Sequence, residues 1–325
     1  MSPCIKKIRL LLCFFALANL LQAQMPGIKH FKIEEGSDKI KIVNLFKNKQ
    51  GYIYAGTSKG LYKFDGIKFT VIPFQNPVSD PFVTAIYQDA KKQLWVGFKN
   101  GDIATLTNNF LKLITPEEGT PKKPITAFLE DRENNLWFST DGEGIYYFAG
   151  KHLYNINTTD GLSDNGIYTM ALSDKGEIFA GSDQGISVCT VNGNKKIVKI
   201  LSSKDGLPDN FIKKIIPAGN NDFLIAMQDK GLCVYNTTTA SFTTPPQFLA
   251  WSYGQINQVL PAQNGLWIAT ENNGIIKSSG TLSTVADIKN EYGDLANIND
   301  IIQDNEGNIW LLSNNNELIN AGGAV

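Results

Sequence analysis

The sequence predicts an all-β chain folded as a seven-bladed β-propeller of four-stranded antiparallel blades. Three observations predict it. A unit of 41 to 45 residues recurs seven times, each unit alternates as strands do with no helical period, and Gly, Asn and Asp punctuate it at fixed places. Of the 325 residues 42% are apolar and 19% charged, enough to build a core and too few charges for a disordered chain.

The repeat is anchored on Tyr54, Trp95, Trp137, Phe179, Leu224, Trp267 and Trp310, spaced 41, 42, 42, 45, 43 and 43 residues apart. Twelve residues before the anchor stands a β-branched residue: Ile42, Val83, Ile125, Ile167, Ile212 and Ile298, with Ile256 one place out. Two residues after it comes a small one: Gly56, Gly97, Ser139, Gly181, Ala226 and Ala269, failing only at Leu312. Six or seven after it comes a glycine: Gly60, Gly101, Gly144, Gly185, Gly231 and Gly274, with Asn316 in the last copy. Four registers held through seven copies exclude coincidence.

Each unit then reads as four strands. A first run such as "VTAIYQD" alternates apolar and polar residues, as a half-buried strand does. A tight turn follows, with Gly51, Lys92, Asn134, Gly176, Asn221, Asn264 or Gly307 three residues before the anchor; Gly and Asn tolerate the positive φ of such turns. The second strand, as in "LWVGF", carries the anchor, and its small residue admits a neighbouring backbone. A glycine turn leads into a third strand such as "GLYKFDG", and a fourth such as "KFTVI" completes the unit. One such sheet cannot bury both faces, whereas seven in a ring bury both and leave only short edges. The repeats span residues near 42–74, 83–115, 125–157, 167–201, 212–244, 256–285 and 298–325. The last copy offers three strands, so "KHFKIE" at 29–34 is expected to supply its fourth and close the ring.

Residues 1–24 read as a signal peptide. Lys6, Lys7 and Arg9 precede an apolar run from Leu10 to Leu21, and Ala23 offers a small residue for cleavage. The run is shorter than the roughly 20 residues a spanning helix needs. Residues 25–325 are therefore expected to form one exported, periplasmic propeller domain. Without the leader, 27 basic residues face 31 acidic ones, and Arg132 is the only arginine left. That argues against nucleic acid, and against sites that grip phosphates or carboxylates with arginine forks. Cys189 and Cys233 fall on third strands of adjacent units and point to the same side of their own sheets, so two buried thiols are expected rather than a disulfide.

"YIYAGTSKGLYKFDGIKF" (52–69), "QDNEGNIWLLS" (303–313) and the linkers "DGLSDN" (160–165) and "DGLPDN" (205–210) resemble the two-component regulator propeller repeat. Units five and six depart from the pattern in lacking the Asp before the first turn. The resemblance, which covers residues 29–325, implies the sensor domain of a bacterial histidine kinase of the Bacteroidetes type. It implies as partners a following immunoglobulin-like domain, a transmembrane helix and a kinase domain, and a homodimer. None of these domains is present in the chain, so a piece of a longer sensor is expected, with a free-standing secreted propeller acting as a protein scaffold as the alternative.

Chemistry is sparse. His30 and His152 stand in no motif, there is no nucleophile elbow, and neither His nor Cys occurs at metal-ligand spacing. The chain is read as a non-enzyme without metal or cofactor. A propeller lyase of the streptogramin type, or a hydrolase, is the third reading, with no base to assign. Acidic turn residues are expected to bond their own backbone. The binding candidate is the longest linker, "TTPPQFLAWSYGQ" (243–255). It places Phe248, Trp251 and Tyr253 outside the strand registers, where they would stack on a glycan or small ligand or pack on a partner. The competing possibility is that they cap the core beneath a long loop. Tyr292 in the next linker is a weaker candidate.

Overall fold

A computed structural model describes residues 28–35, 38–192, 195–262, 265–279, 284–287 and 295–323, and over these the chain is a seven-bladed β-propeller. From inner to outer strand, blade 1 is Ile42–Lys47, Ile53–Thr57, Gly60–Phe64 and Phe69–Ile72. Blade 2 is Val83–Gln88, Leu94–Phe98, Ile103–Thr107 and Phe110–Ile114, and blade 3 is Ile125–Glu130, Leu136–Thr140, Ile145–Ala149 and His152–Ile156. Blade 4 is Thr169–Leu172, Ile178–Ser182, Gly185–Asn192 and Lys195–Leu201, and blade 5 is Ile212–Gly219, Asp222–Met227, Leu232–Asn236 and Ser241–Thr243. Blade 6 is Ile256–Ala262, Gly265–Thr270, Ile275–Ser279 and Thr284–Asp287. Blade 7 takes Ile298–Gln303, Asn308–Ser313 and Leu318–Gly323 from the end of the chain, and Lys29–Phe31 from the beginning.

That closure is antiparallel, with Lys29 opposite Asn320, His30 opposite Ile319 and Phe31 opposite Leu318. The strand is shorter than the 29–34 run expected from sequence, because the chain turns away into a small hairpin pairing Glu34–Glu35 with Asp38–Lys39. Phe31 carries the hydrophobic part of the seam: its ring lies 4.9 Å from Phe64 of blade 1 and 5.8 Å from Trp310 of blade 7. Glu317 adds a polar clasp, accepting from Lys32 at 2.7 Å and pairing with His30 at 2.7 Å.

The core is not one nucleus but seven apolar layers, one between each pair of neighbouring blades. The sequence registers explain how the layers form. In blade 2 a Cβ added to Gly97 would lie 2.5 Å from Cβ of Ile125, the β-branched residue that opens blade 3. Gly181 stands in the same relation to Ile212 at 2.6 Å, and Gly56 to Val83 at 2.8 Å. The small residue after each anchor is thus the socket for the next blade's first residue. Ile256, out of register by one, still pairs with Thr270 as Ile212 pairs with Met227; blade 6 has one register shift between these strands where blade 5 has two, which accounts for the single-residue offset.

The turn between first and second strands is built alike in five blades. Asp131 Oδ1 accepts from the backbone N–H of Glu133 (3.0 Å) and Asn135 (2.8 Å), while its Oδ2 accepts from the indole N–H of Trp137 at 2.8 Å. Asp304 does the same for Glu306, Asn308 and Trp310, and Asp89 for Gln93 and Trp95. Asn48 and Ser173 staple the backbone of their own turns without reaching an indole. Six of the seven turn residues named above have φ between 63° and 91°, as the sequence requires; Asn264 lies outside the described residues. Cys189 and Cys233 are free and fully buried, in separate layers on either side of blade 4, and burial pushes each thiol up to about 12.

Candidate functional site

One face of the ring carries the linkers between blades and the turns joining second to third strands. These two sets of loops are bonded to each other: Gly144 N–H donates to Asn165 O, Gly185 N–H to Asn210 O and Gly274 N–H to Ala296 O, each at 2.8 Å. The glycines are needed because a Cβ on Gly144 would sit 2.3 Å from the carbonyl oxygen of Ile156. In the "DGLSDN" and "DGLPDN" linkers the acids are again structural. Asp160 and Asp205 close capping boxes with Asn157 and Ser202, and Gly161 and Gly206 end the short helical turns in the left-handed region.

The 243–255 linker is built differently. Its helical turn, Pro246–Phe248, starts after Pro245 with no side-chain cap. Phe248 is only 1% exposed and belongs to the layer between blades 5 and 6, so the structure places it inside the core and not on the surface of the loop. Trp251 and Tyr253 are half-buried against the same layer. The Trp251 ring stands 5.8 Å from that of Phe248 and 5.1 Å from that of Tyr253 in an edge-to-face arrangement, and its indole N–H donates to Gly254 O at 2.7 Å. A Cβ on Gly231 would come within 3.0 Å of the indole, so this glycine keeps the seat open. Between the buried Phe248 and the half-buried Trp251 the chain rises, leaving Leu249 72% exposed. The loop therefore exposes Leu249 and leaves Trp251 and Tyr253 half-buried in mutual contact, with Phe248 as the root beneath them. Leu249 was not legible as a surface residue, because an irregular linker has no period to say which side chain turns out. Tyr292 lies outside the described residues.

A second aromatic pair sits on this face. Tyr168 and Phe211 stack at 5.5 Å with an interplanar angle of 18°, and Lys213 Nζ stands 5.1 Å from the Phe211 centroid. Partial burial, with the negative field of Asp183, Asp141 and Asp164, raises the Tyr168 phenol pKa. Both rings flank the β-branched register position, where they read as ordinary strand residues.

The opposite face holds two clefts at blade junctions. One of about 540 Å³ lies beside Phe31, Tyr52, Phe64 and Trp310, and one of about 560 Å³ beside Trp137, Tyr147 and Tyr154. The second contains a ring ladder, Trp137 on Tyr147 at 4.4 Å and Tyr147 on Tyr154 at 5.3 Å, but the rings cover one another's faces and Trp137 and Tyr147 are buried.

Residues that carry catalysis elsewhere are engaged structurally here. His152 pairs with Glu118 and His30 with Glu317, both at exposed positions. Arg132 donates to the carbonyl oxygen of Asp174 and joins blade 3 to blade 4. Among the described residues no three His, Cys, Asp or Glu side chains are placed to hold a metal, and no helix is long and apolar enough to cross a membrane.

The family model described as "Two component regulator propeller" matches residues 119–142, the segment holding the Asp131–Trp137 turn. No curated protein matches the sequence. Among solved structures, the extracellular domain assigned to a hybrid two component system of B. thetaiotaomicron superposes with a TM-score of 0.73 at 21% identity, over 90% of this chain and 41% of that one. A second such domain from the same organism gives 0.73 at 17%, over 90% and 42%. Virginiamycin B lyase from Staphylococcus aureus gives 0.66 at 13%, over 90% and 98%. At these identities the likeness shows the fold, and the chain spans about two-fifths of the length of the two-component domains it matches.

Proposed function

We propose that the chain is the extracytoplasmic sensing propeller of a two-component protein whose output region lies outside this sequence. The observation that carries this reading is the two-component repeat set in a ring whose recognisable polar motifs all serve the architecture. Asp89, Asp131 and Asp304 staple turns, Asp160 and Asp205 cap linkers, and Arg132 joins blades. What is left for recognition is the linker face, where Leu249, Trp251 and Tyr253 offer apolar and aromatic surface among polar loops. In this reading residues 1–24 are a cleaved export signal, residues 25–325 are the periplasmic domain, and the ligand is a saccharide or small molecule stacking on that surface. Signalling follows from a ligand-dependent change in packing against the following immunoglobulin-like domain or within a homodimer, and not from chemistry in this chain.

The test is a panel of oligosaccharides titrated calorimetrically into the propeller. Saturable binding of one member, weakened at least tenfold in both Leu249→Ser and Trp251→Ala, supports the reading. Binding that neither substitution alters removes the site. Turnover of a ligand lost on replacing His152 would overturn the non-enzymatic reading.

A further inference from the structure

Blade 4 differs from the other blades at its rim. Its outer strand, Lys195–Leu201, has seven residues, against three to five for the outer strands elsewhere among the described residues. Its third strand, Gly185–Asn192, runs past the second: Thr190, Val191 and Asn192 pair only with Ile197, Lys196 and Lys195. The two strands therefore project from the blade as a ribbon. Among the described residues Lys195–Leu201 is the one outer strand with two exposed large apolar side chains, Ile197 at 47% and Ile200 at 44%.

The pairing fixes where its backbone groups point. In an antiparallel ladder they turn alternately to one neighbour and to the other. With Ser182 and Gly185 facing across a tight turn, Ile186, Val188 and Thr190 bond the fourth strand at Leu201, Lys199 and Ile197. Lys196, Val198 and Ile200 then direct their N–H and C=O groups away from the sheet, in which this strand is outermost. The side chains alternate as well. Lys196 and Val198 face blade 3, where Lys196 Nζ donates to Asn155 O (2.6 Å) and Asp160 Oδ1 (3.0 Å) and Val198 joins the apolar layer. Lys195, Ile197 and Lys199 face blade 5, whose outer strand is only Ser241–Thr243, and all three are exposed. Among the described residues Lys195 and Lys199 make no ion pair.

An open strand edge is a template for pairing, and lysines on it keep like edges apart. Antiparallel self-pairing here would gather Lys195 and Lys199 of both copies on one face. The charge that repels a second copy favours a strand of the opposite sign. We propose that the outer edge of blade 4 is a docking site for an acidic extended segment of a partner polypeptide, added antiparallel to Lys195–Leu201. The pattern it fits is acidic–x–apolar–x–acidic. The apolar residue lies opposite Ile197, the carboxylates lie opposite Lys195 and Lys199, and the main chain bonds Lys196, Val198 and Ile200. This edge is on the rim of the ring, apart from the aromatic linker, and the proposal does not rest on the sensing role.

The probe is a synthetic peptide of that pattern, with glutamate at the acidic places, valine at the apolar one and threonine between them. It is titrated into the ¹⁵N-labelled chain and followed by NMR. The amide signals of Lys196, Val198 and Ile200 are expected to shift saturably, with affinity falling as salt is raised. The double variant Lys195→Glu/Lys199→Glu should bind this peptide more weakly by about tenfold or more. The same peptide with lysine in place of glutamate should bind that variant and not the wild type. No saturable shift at the three amides, an equal wild-type response to the lysine peptide, or a dimer of the chain that already occupies this edge would each overturn the proposal. The wild-type titrations need no variant, so they decide the matter even if the double variant fails to fold.

Discussion

A Cβ placed on Gly97 would stand 2.5 Å from Cβ of Ile125 in the next blade, closer than such atoms approach. The contact joins two sequence registers, the small residue after one anchor and the β-branched residue before the next. Gly97→Ala is therefore expected to destabilise the ring by about 1–3 kcal/mol, the usual cost of overpacking. Ile125→Ala in the same chain should cost less than it does alone, because it removes Cγ1 and Cγ2, two of the three atoms that the added methyl meets. Chemical denaturation of the two single variants and the double variant checks this.

The Asp131 staple should matter more to stability than its half-buried position implies. Asp131→Ala leaves the Glu133 and Asn135 N–H groups and the Trp137 indole without their acceptor. A loss of about 1–3 kcal/mol is expected from thermal or urea unfolding. A variant as stable as the wild type would contradict the staple.

Acid should undo these turns in a defined direction. Burial alone would raise the Asp304 carboxyl, but bonds from Trp310, Asn308 and Glu306 outweigh it and its pKa is lowered. A carboxyl lowered by folding stabilises the protein above the unfolded pKa, about 3.9. That contribution is lost as pH falls through the lower folded value. Melting temperature followed from pH 6 downward should fall more steeply for the wild type than for Asp304→Asn in that window.

The N-terminal strand should be indispensable. A chain lacking everything up to Ile33 loses the outer strand of blade 7 and the Phe31 contacts to Phe64 and Trp310. It should melt well below the full chain. The milder Phe31→Ala is expected to cost about 2–4 kcal/mol. Glu317→Ala removes only an exposed clasp and should cost less than about 1 kcal/mol.

Where periodicity exists, the sequence was a reliable guide. The Trp and Tyr anchors, the glycine sockets, the positive-φ turns and the closing strand follow from residues repeated at fixed distances, because each repeat meets the same physical demand. The aromatic linker has no sibling to be compared with. Nothing in "TTPPQFLAWSYGQ" says that Phe248 turns in while Leu249 turns out; that depends on Pro245 and Pro246 directing the chain over the layer between blades 5 and 6. The contact of Gln258 with Asp300 was hidden for another reason. Gln258 and Asp300 read as polar alternations on two strands, and only the packing of blade 6 on blade 7 brings them within a hydrogen bond.

The central claim is that the acidic turns are architecture while the irregular linker is the recognition surface. It is tested most directly by measuring ligand affinity and melting temperature side by side in Asp131→Ala and Leu249→Ser. The account predicts a lower melting temperature with unchanged affinity for Asp131→Ala. For Leu249→Ser it predicts weakened affinity with an unchanged melting temperature. Affinity lost in Asp131→Ala at a temperature where the variant is fully folded, and retained in Leu249→Ser, would contradict it.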